Sequence, residues 1–211
     1  MKVLIACEYS GRVRDSFARM GHDAVSVDLL PSETQGRHIQ GDVLEVIRSQ
    51  HFDMMVAFPP CTDLAVSGAK WFAEKRADGR QQRALEFVRT LMEAPVERIA
   101  LENPIGIISS AIRRPDQIIQ PFWFGDRARK ATCLWLKNLP PLKPTDVVSP
   151  DLTTYTTKDG GKVTFSSDYV KSLPSEGRAK MRSLTYQGIA DAMAEQWGSQ
   201  ETMEGYPLRL L

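Results

Sequence analysis

Short apolar runs recur along the N-terminal part of the chain and alternate with stretches whose apolar residues have helical spacing. The runs at 2–7, 23–29 and 54–58 each predict a buried strand, because strands covered on both faces are apolar throughout. Between the first two runs, residues 12–20 carry apolar side chains at helical spacing and predict a helix that ends at Gly21. Strands that alternate with helices in this way predict an α/β fold.

The same alternation continues further along the chain. A third short strand is predicted just before Gly41, and residues 97–101 and 131–136 predict two more. Helices are predicted over 84–92 and again over 182–197, where apolar residues return on one face. The order of elements therefore extends the α/β pattern almost to the C-terminus.

Between these elements the composition shifts to Pro, Thr, Ser, Asp and Gly over about 140–181. A turn within this stretch predicts one hairpin around 162–165, whereas residues 105–124 predict irregular or helical structure. We therefore divide the chain into an α/β unit at 1–139, a small insertion at 140–181 and a C-terminal segment at 182–211 whose helix returns to the unit.

Length and charge narrow the function classes. A chain of 211 residues with 42% hydrophobic and 25% charged residues is typical of one globular domain. Its net charge is only +1, so nucleic-acid binding would have to come from a local patch. Residues 113–143 contain seven basic residues against two acidic ones and are the candidate patch, although a charged edge strand would look similar.

The cysteine content indicates a reducing compartment, and the histidine content gives no indication of a metal site. Three scattered cysteines argue against a disulfide framework, and three histidines without ligand spacing give no metal signal. The chain starts with a predicted strand and carries no apolar run of membrane length. We therefore expect a cytoplasmic protein with no membrane partner.

The strand predicted at 54–58 runs directly into Pro59, Pro60 and Cys61. Two prolines cannot continue a strand ladder, and they stiffen the segment that follows. Open α/β sheets place ligands and chemistry at the carboxyl ends of their strands, so Cys61 is a candidate nucleophile. A structural cysteine after a Pro-Pro turn is the alternative, and this stretch alone leaves both open.

Glu102 follows the strand predicted at 97–101 and begins a Glu-Asn-Pro sequence. If the two strands are neighbours, Glu102 and Cys61 face each other across the same rim of the sheet. A carboxylate beside a cysteine favours catalysis, whereas a Glu-Asn pair that merely opens the next segment is the plainer interpretation.

The start of the chain predicts a nucleotide-binding unit. A tight turn at 8–11 joins the first strand to the first helix, and Asp28 ends the second strand. An acid at that position can accept hydrogen bonds from both ribose hydroxyls. The turn holds one glycine, at Gly11, instead of a dinucleotide fingerprint, so a ligand without phosphates fits better. Asp42, after the third strand, would lie at the same edge.

Residues 65–83 are basic, polar and interrupted by glycines, with Trp71 and Phe72 among them. Directly after a nucleophile, such a stretch predicts a mobile loop that closes over substrate. Basic side chains interleaved with aromatic ones would also suit a phosphate backbone. A solvated loop that leads into the helix at 84–92 is the alternative.

Taken in order, these pieces resemble a DNA (cytosine-5) methyltransferase. The segments FPPCTDLAVSG and LENP are similar to that family's Pro-Pro-Cys and Glu-Asn motifs, and RARKATCLWL is similar to its arginine motif. The segments ACEYSGRVRDSF, SVDLL, GDV and TYQGIADAMAEQW resemble its cofactor motifs. The resemblance implies a Rossmann-like S-adenosylmethionine-dependent methyltransferase fold, with a mostly parallel twisted sheet, helices on both faces and a small insertion.

The resemblance also implies a reaction and a set of site residues. Cys61 would add to C6 of cytosine in DNA, Glu102 would hold the base, and Arg129, or Arg127 as the second choice, would bind its O2 atom or the nearby backbone. S-adenosylmethionine would be bound by Tyr9, Ser10, Gly11, Asp28, Asp42, Val43, Pro59 and Gly188. DNA would be contacted by Lys70, Arg76, Arg80, Arg83 and Lys130.

The sequence departs from the family in ways that affect the substrate. Thr62 stands where glutamine is usual, and the region that reads the target sequence is much reduced, which makes this a small member. A partner protein could therefore supply recognition of the target sequence. Alternatively, the substrate could be single-stranded DNA or a flipped base. Two alternatives stay open: a relative that binds DNA or cofactor without turnover, and a different enzyme on the same scaffold, acting on a free pyrimidine nucleotide or, less favoured, using nicotinamide.

Overall fold

A computed structural model of the chain describes residues 1–157, 159–166 and 183–199. Seven strands form the main sheet: β1 Lys2–Ala6, β2 Asp23–Asp28, β3 His38–Gln40, β4 Met54–Ala57, β5 Arg98–Pro104, β6 Gln117–Ile119 and β7 Thr132–Lys137. The helices are α1 Arg12–Arg19, α2 Val43–Ser49, α3 Phe72–Ala77, α4 Arg80–Met92, α5 Ile108–Ala111 and α6 Gln187–Gly198. A separate antiparallel hairpin pairs β8 Leu152–Thr156 with β9 Lys162–Ser166.

The strands of the main sheet lie in the order β3-β2-β1-β4-β5-β7-β6. The first five are parallel, and β7 runs antiparallel to both β5 and β6. The chain thus leaves the sheet centre in two directions, and the carboxyl ends of β1 and β4 mark the point where it reverses, which is where such sheets bind ligands. This topology confirms the predicted Rossmann-like methyltransferase fold.

Hydrophobic cores lie on both faces of the sheet. One core packs α2, α4 and α5 against the strands, and the other packs α1 and α6. The central strands are buried on both faces, because residues 3–6 and 54–57 have no solvent exposure. This explains why those strands appear in the sequence as continuous apolar runs. None of the helices in the described part of the chain is long and apolar enough to cross a membrane.

Residues 65–83 do not form the predicted loop, and that prediction is wrong. They fold into a 3-10 turn at Val66–Trp71, then α3, then the first turn of α4. Two polar residues of this stretch, Lys75 and Gln81, are buried. Gly79, with a φ of 75°, breaks the helix between α3 and α4.

Two other segments differ from their predictions. Strand β5 runs on to Pro104, because Glu102, Asn103 and Pro104 pair with the first residues of β7. Residues 105–124, predicted to be irregular or helical, contain α5 and also β6, which is completed by pairing with β7. The extension of β5 and the formation of β6 both depend on pairing with β7, which is distant in sequence. The local sequence pattern carries no information about that pairing.

The hairpin predicted around 162–165 is present as β8 and β9. Residues 167–182 of the insertion and C-terminal segment lie outside the described residues, as do residues 200–211. The C-terminal helix, predicted to begin at residue 182, starts at Gln187 in the described range and packs on α1. The proposed division into 1–139, 140–181 and 182–211 remains a prediction.

Gly188 lets α6 approach the rest of the domain closely. A Cβ atom at this position would lie 1.7 Å from the Phe124 carbonyl oxygen, far inside contact distance. The Gly188 N–H also donates to Asp126 Oδ2 at 2.9 Å. The backbone of the first turn of α6 therefore rests directly on the 124–126 turn.

Gly188→Ala should destabilise the protein by about 1–3 kcal/mol, because the new methyl group meets a backbone atom that must shift. Gly41→Ala is the matched control, since a Cβ there meets nothing within 4 Å. Urea unfolding of both variants measures the difference. Equal stabilities would show that the contact between α6 and the 124–126 turn is looser than described.

Candidate active site

The turn after β1 forms the first wall of the site. Gly11 precedes α1 with a φ of 80°, and a Cβ there would lie 2.0 Å from Thr34 Oγ1, so the turn requires glycine. Glu8, one residue beyond Cys7, is buried beneath the turn with 5% exposure. Ser10 Oγ donates to Glu8 Oε1 at 2.5 Å, and the Val13 N–H donates to the same oxygen at 3.4 Å.

The second carboxylate oxygen of Glu8 is buried and has no hydrogen-bond partner within the described ranges. Burial raises the pKa of Glu8, while the hydrogen bonds from Ser10 and Val13 and the charge of Arg14 act in the opposite direction. A buried acceptor without a donor is costly. Glu8 Oε2 is therefore a candidate acceptor for a cationic or N–H group of a ligand.

Two further acids lie at the same edge. Asp28 ends β2, where its Oδ1 accepts from the Leu30 N–H at 2.9 Å. Asp42 caps α2 by accepting from the Leu44 N–H at 2.8 Å. Burial first, and then the charges of Asp28 and Asp42, raise the pKa of Cys7 to about 12. Cys7 therefore lies near both Asp28 and Asp42. Val43, by contrast, turns its side chain into the core.

Cys61 is half-buried and lies in a loop whose backbone groups are hydrogen-bonded. The Cys61 carbonyl oxygen accepts from the N–H groups of Leu64 and Ala65, at 3.0 and 2.9 Å. The Ile107 N–H, from the segment after β5, donates to the Leu64 carbonyl oxygen at 2.9 Å. The loops that leave β4 and β5 therefore pair with one another beside the cysteine.

Asn103 connects the same two strands from within the sheet. Its side chain is buried, and Nδ2 donates to the Pro59 carbonyl oxygen at 2.8 Å. Glu102 precedes it on β5, so the strand that carries Glu102 is hydrogen-bonded to the segment that carries Cys61. Asn103 belongs to the Glu-Asn motif, but the motif alone does not indicate this structural role.

Glu102 is partly exposed, yet burial is the strongest influence on its carboxyl group and raises its pKa. The charge of Lys130 and a hydrogen bond from the Thr132 side chain both lower the pKa. The net direction is upward, so Glu102 holds a proton at higher pH than an ordinary glutamate. Such a carboxyl group can donate a hydrogen bond as well as accept one.

The three basic residues of the arginine segment lie in different environments. Arg127 pairs with Asp151 through Nε and Nη2, at 2.7–3.0 Å, which directs it towards the insertion. Arg129 is exposed. Lys130, which was assigned to DNA, is the basic side chain whose charge acts on Glu102. Lys130 therefore lies near Glu102, whereas Arg127 is paired with Asp151.

Two of the predicted DNA contacts lie beside the cysteine loop. Arg80 and Arg83 line a surface pocket together with Pro60 and Thr62. Arg80 also pairs with two acids of its own segment, Glu74 and Asp78, whose negative charges offset the local positive charge. Lys70 Nζ lies 4.9 Å from the ring centroid of Trp71, whose side chain is 51% exposed. Arg76 is exposed on α3.

The residues before α6 extend over the site, which the sequence did not indicate. Tyr9 Oη and Ser183 Oγ are hydrogen-bonded at 2.9 Å, and Arg12 Nη1 donates to the Thr185 carbonyl oxygen at 2.8 Å. Lys130 Nζ lies 5.8 Å from the ring centroid of Tyr186. This segment thus connects the turn after β1 with the side of the site that contains Glu102.

Comparisons with known proteins give the fold little further context. No family model matches the sequence, and no curated protein does. Solved structures do match, among them an E. coli crystal structure assigned provisionally as a DNA modification methyltransferase encoded within a prophage. The two sequences are 18% identical, and the match covers 85% of this chain and 68% of the other, with a TM-score of 0.45.

Among the three cysteines, the environment singles out Cys61 for reactivity. Burial, followed by the charge of Glu102, raises the pKa of Cys133 to about 11, and the pKa of Cys7 is raised to about 12. Both groups remain thiols at about pH 8, and thiols alkylate far more slowly than thiolates. We expect iodoacetamide to alkylate Cys61 about tenfold faster than either of the others.

Peptide mass spectrometry at increasing reaction times measures the three rates separately. Urea-unfolded protein is the control, since all three cysteines should then react alike. Faster alkylation of Cys7 than of Cys61 in the folded protein would contradict the assignment.

Proposed function

We propose that this protein transfers a methyl group from S-adenosylmethionine to C5 of cytosine in DNA, through a covalent bond between Cys61 and C6 of the base. The observation that carries the proposal is the hydrogen bond from Asn103 to the Pro59 carbonyl oxygen. It joins a rigid cysteine loop to the strand that carries a glutamate of raised pKa, and this reaction needs both groups on one base.

The carboxyl edge of β1 to β4 fits the cofactor. The orphaned Glu8 Oε2 would accept from the cofactor's ammonium group, and the close turn at Gly11 leaves space for no larger residue. Tyr9 and Ser10 would lie along the methionine part, Asp28 would bind the ribose, and Asp42, the Val43 backbone and Pro59 would border the adenosine. When bound, S-adenosylmethionine supplies an electrophilic methyl group. Gly188, also predicted to bind it, has a packing role that explains it equally well.

Cys61 supplies the nucleophile that the base requires. C5 of cytosine is a weak nucleophile until the Cys61 thiolate adds to C6, which gives C5 enamine character. C5 would form its bond to the methyl group as the carbon–sulfur bond of the donor breaks, which leaves S-adenosylhomocysteine. Loss of the C5 proton to water and expulsion of the thiolate would then restore the aromatic ring. The stiff, hydrogen-bonded loop holds the sulfur in place, so little order has to be gained at the moment of attack.

Glu102 would donate a proton to N3 of the base during the attack by Cys61. With a raised pKa, its carboxyl group can donate to N3 as the thiolate adds to C6, while its other oxygen accepts from the exocyclic amine. Lys130, beside Glu102, would contact the O2 atom of the base or a neighbouring phosphate. Arg129 is the alternative for that contact, whereas Arg127 would first have to leave Asp151.

The basic surface beside Cys61 supports DNA as the substrate. Arg80, Arg83, Lys70 and Arg76 would contact phosphates, which position the nucleic acid without reading its sequence. A duplex cytosine must also be flipped out of the stack, at a cost of about a few kcal/mol. Single-stranded or mismatched DNA should therefore react faster than perfect duplex, and a partner protein could supply sequence recognition.

The direct test is incubation with tritiated S-adenosylmethionine and single-stranded, mismatched and duplex DNA, followed by nucleoside analysis. We expect label in 5-methylcytosine. Label in another modified base would replace the cytosine-5 assignment with a different DNA modification. Label transferred to free dCMP or dCTP but not to DNA would favour the nucleotide-modifying alternative, and cofactor binding without any transfer would favour the binding protein.

Asp28→Ala should weaken binding of S-adenosylhomocysteine by about 1.5–3 kcal/mol, the scale of hydrogen bonds to a charged group. The control is Asp53→Ala, because Asp53 also accepts from a backbone N–H, that of Lys2 at 2.6 Å, but at the opposite edge of the sheet. Isothermal titration calorimetry measures both affinities. An unchanged dissociation constant in Asp28→Ala would mean that the ribose is bound elsewhere.

Glu102→Gln should abolish methyl transfer. It should also remove the loss of folding stability that the wild type shows as pH rises. Because burial raises the pKa of Glu102 above its ordinary value of 4.5, the folded protein keeps a proton that the unfolded chain has already released. The stability of the wild type should therefore fall as pH rises from the ordinary pKa through the raised one. The glutamine variant has no such proton and should gain stability relative to the wild type over this interval.

Urea unfolding of both proteins across a pH series measures the difference. Glu86→Gln, at an exposed glutamate on α4, is the control and should show no such gain. A constant difference between wild type and Glu102→Gln across the series would remove the raised pKa from the account.

A further inference from the structure

Lys75 is a buried lysine that the proposed chemistry does not use. It lies on α3, and its side chain is 7% exposed. Lysine is almost never fully buried unless its charge is paired. On the same helix, the neighbouring Arg76 is exposed, so burial of Lys75 does not follow from the general position of α3.

The ammonium group of Lys75 contacts the residues that follow Cys61. Nζ donates to the Thr62 carbonyl oxygen and lies 3.2 Å from Asp63 Oδ1. It also lies close to Gly68, where a Cβ would be 3.3 Å from Nζ. The ammonium group therefore lies against three residues of the 62–68 segment.

A second buried side chain reinforces this contact. Gln81, on α4, is 2% exposed and donates from Nε2 to the Asp63 carbonyl oxygen at 3.2 Å. Two consecutive carbonyl groups after the cysteine, those of Thr62 and Asp63, are therefore bound by side chains of α3 and α4. On the other side of Cys61, Asn103 binds the Pro59 carbonyl oxygen. Cys61 lies between these two attachments.

We propose that Lys75 is a positioning residue for Cys61, which it holds in register by binding the Thr62 carbonyl oxygen and the Asp63 carboxylate. The inference rests on the proposed function, since it gives that site a further residue. A misplacement of about 1 Å at a reacting atom can slow catalysis by about 100-fold, so loss of one attachment should reduce turnover more than binding.

The test compares Lys75→Met with Lys137→Met. Lys137 is also a lysine bound to backbone carbonyls, those of Ala94 and Val96 at 3.4 and 3.0 Å, but it ends β7 at the opposite edge of the sheet. A double variant, Lys75→Met with Asp63→Asn, avoids an unpaired buried carboxylate if the single variant fails to fold. Thermal unfolding identifies the folded variants.

Two readouts are needed. Amide hydrogen exchange of Leu64 and Ala65, whose N–H groups bind the Cys61 carbonyl oxygen, reports on the loop. We expect it to rise about tenfold in the Lys75 variants and to stay unchanged in Lys137→Met. We also expect kcat to fall about tenfold or more in the Lys75 variants, with KM for DNA and the dissociation constant of S-adenosylhomocysteine within about twofold of wild type.

Each result decides a different claim. Unchanged loop exchange, or faster exchange with an unchanged kcat, would overturn the role of Lys75. Equal losses in Lys137→Met would also overturn it, because the effect would then be general destabilisation. A wild type that transfers no methyl group would overturn the proposed function instead, and loop exchange would still decide whether Lys75 holds the cysteine segment.

Discussion

The hydrogen bond from Asn103 to the Pro59 carbonyl oxygen is the constraint on which the candidate site depends. It is buried and joins two neighbouring parallel strands, β4 and β5, at the point where both reach the carboxyl edge of the sheet. Beyond this hydrogen bond, the segments that follow β4 and β5 remain paired, since the Ile107 N–H donates to the Leu64 carbonyl oxygen. Cys61 and Glu102 therefore belong to one hydrogen-bonded unit, although forty-one positions separate them in the sequence.

Two groups of polar residues flank this hydrogen-bonded unit, one on each side. On one side, the turn after β1, Asp28 at the end of β2 and Asp42 after β3 form a polar edge, where one buried carboxylate oxygen of Glu8 has no hydrogen-bond partner among the described residues. On the other side, Lys130 adds a positive charge beside Glu102. The segment at 183–186 contacts both sides, through Tyr9 and Lys130. A methyl donor on the first side and a base on the second would meet at Cys61.

Most of the sheet and the positions of its key residues could be predicted from the sequence, for a physical reason. Central strands covered on both faces are continuous apolar runs, and the residues that end them lie at one edge because the strands are parallel. Cys61, Asp28 and Asp42 could be located by that argument alone. The Pro-Pro sequence likewise predicted the end of β4 to within one residue, since the strand was expected to reach Phe58 and ends at Ala57.

What could not be predicted depends on contacts between distant residues. Lys75 and Gln81 look like solvated residues of a polar loop, and their burial follows from carbonyl groups and a carboxylate at 62 and 63. Arg127 matches the arginine motif, yet it binds Asp151 in the insertion. Strand β6 forms because β7 offers it an edge. In each case the deciding partner lies outside the local pattern.

The measurement that tests the central claim most directly is a covalent trap at Cys61. Single-stranded DNA containing 5-fluorocytosine would be incubated with the protein and S-adenosylmethionine, because fluorine at C5 prevents the last elimination and preserves the bond to sulfur. The account predicts a stable protein–DNA adduct whose mass spectrum assigns the methylated base to the peptide that contains Cys61, and no adduct with Cys61→Ser. Methyl transfer to DNA by the Cys61→Ser variant, or an adduct at Cys7 or Cys133, would contradict it.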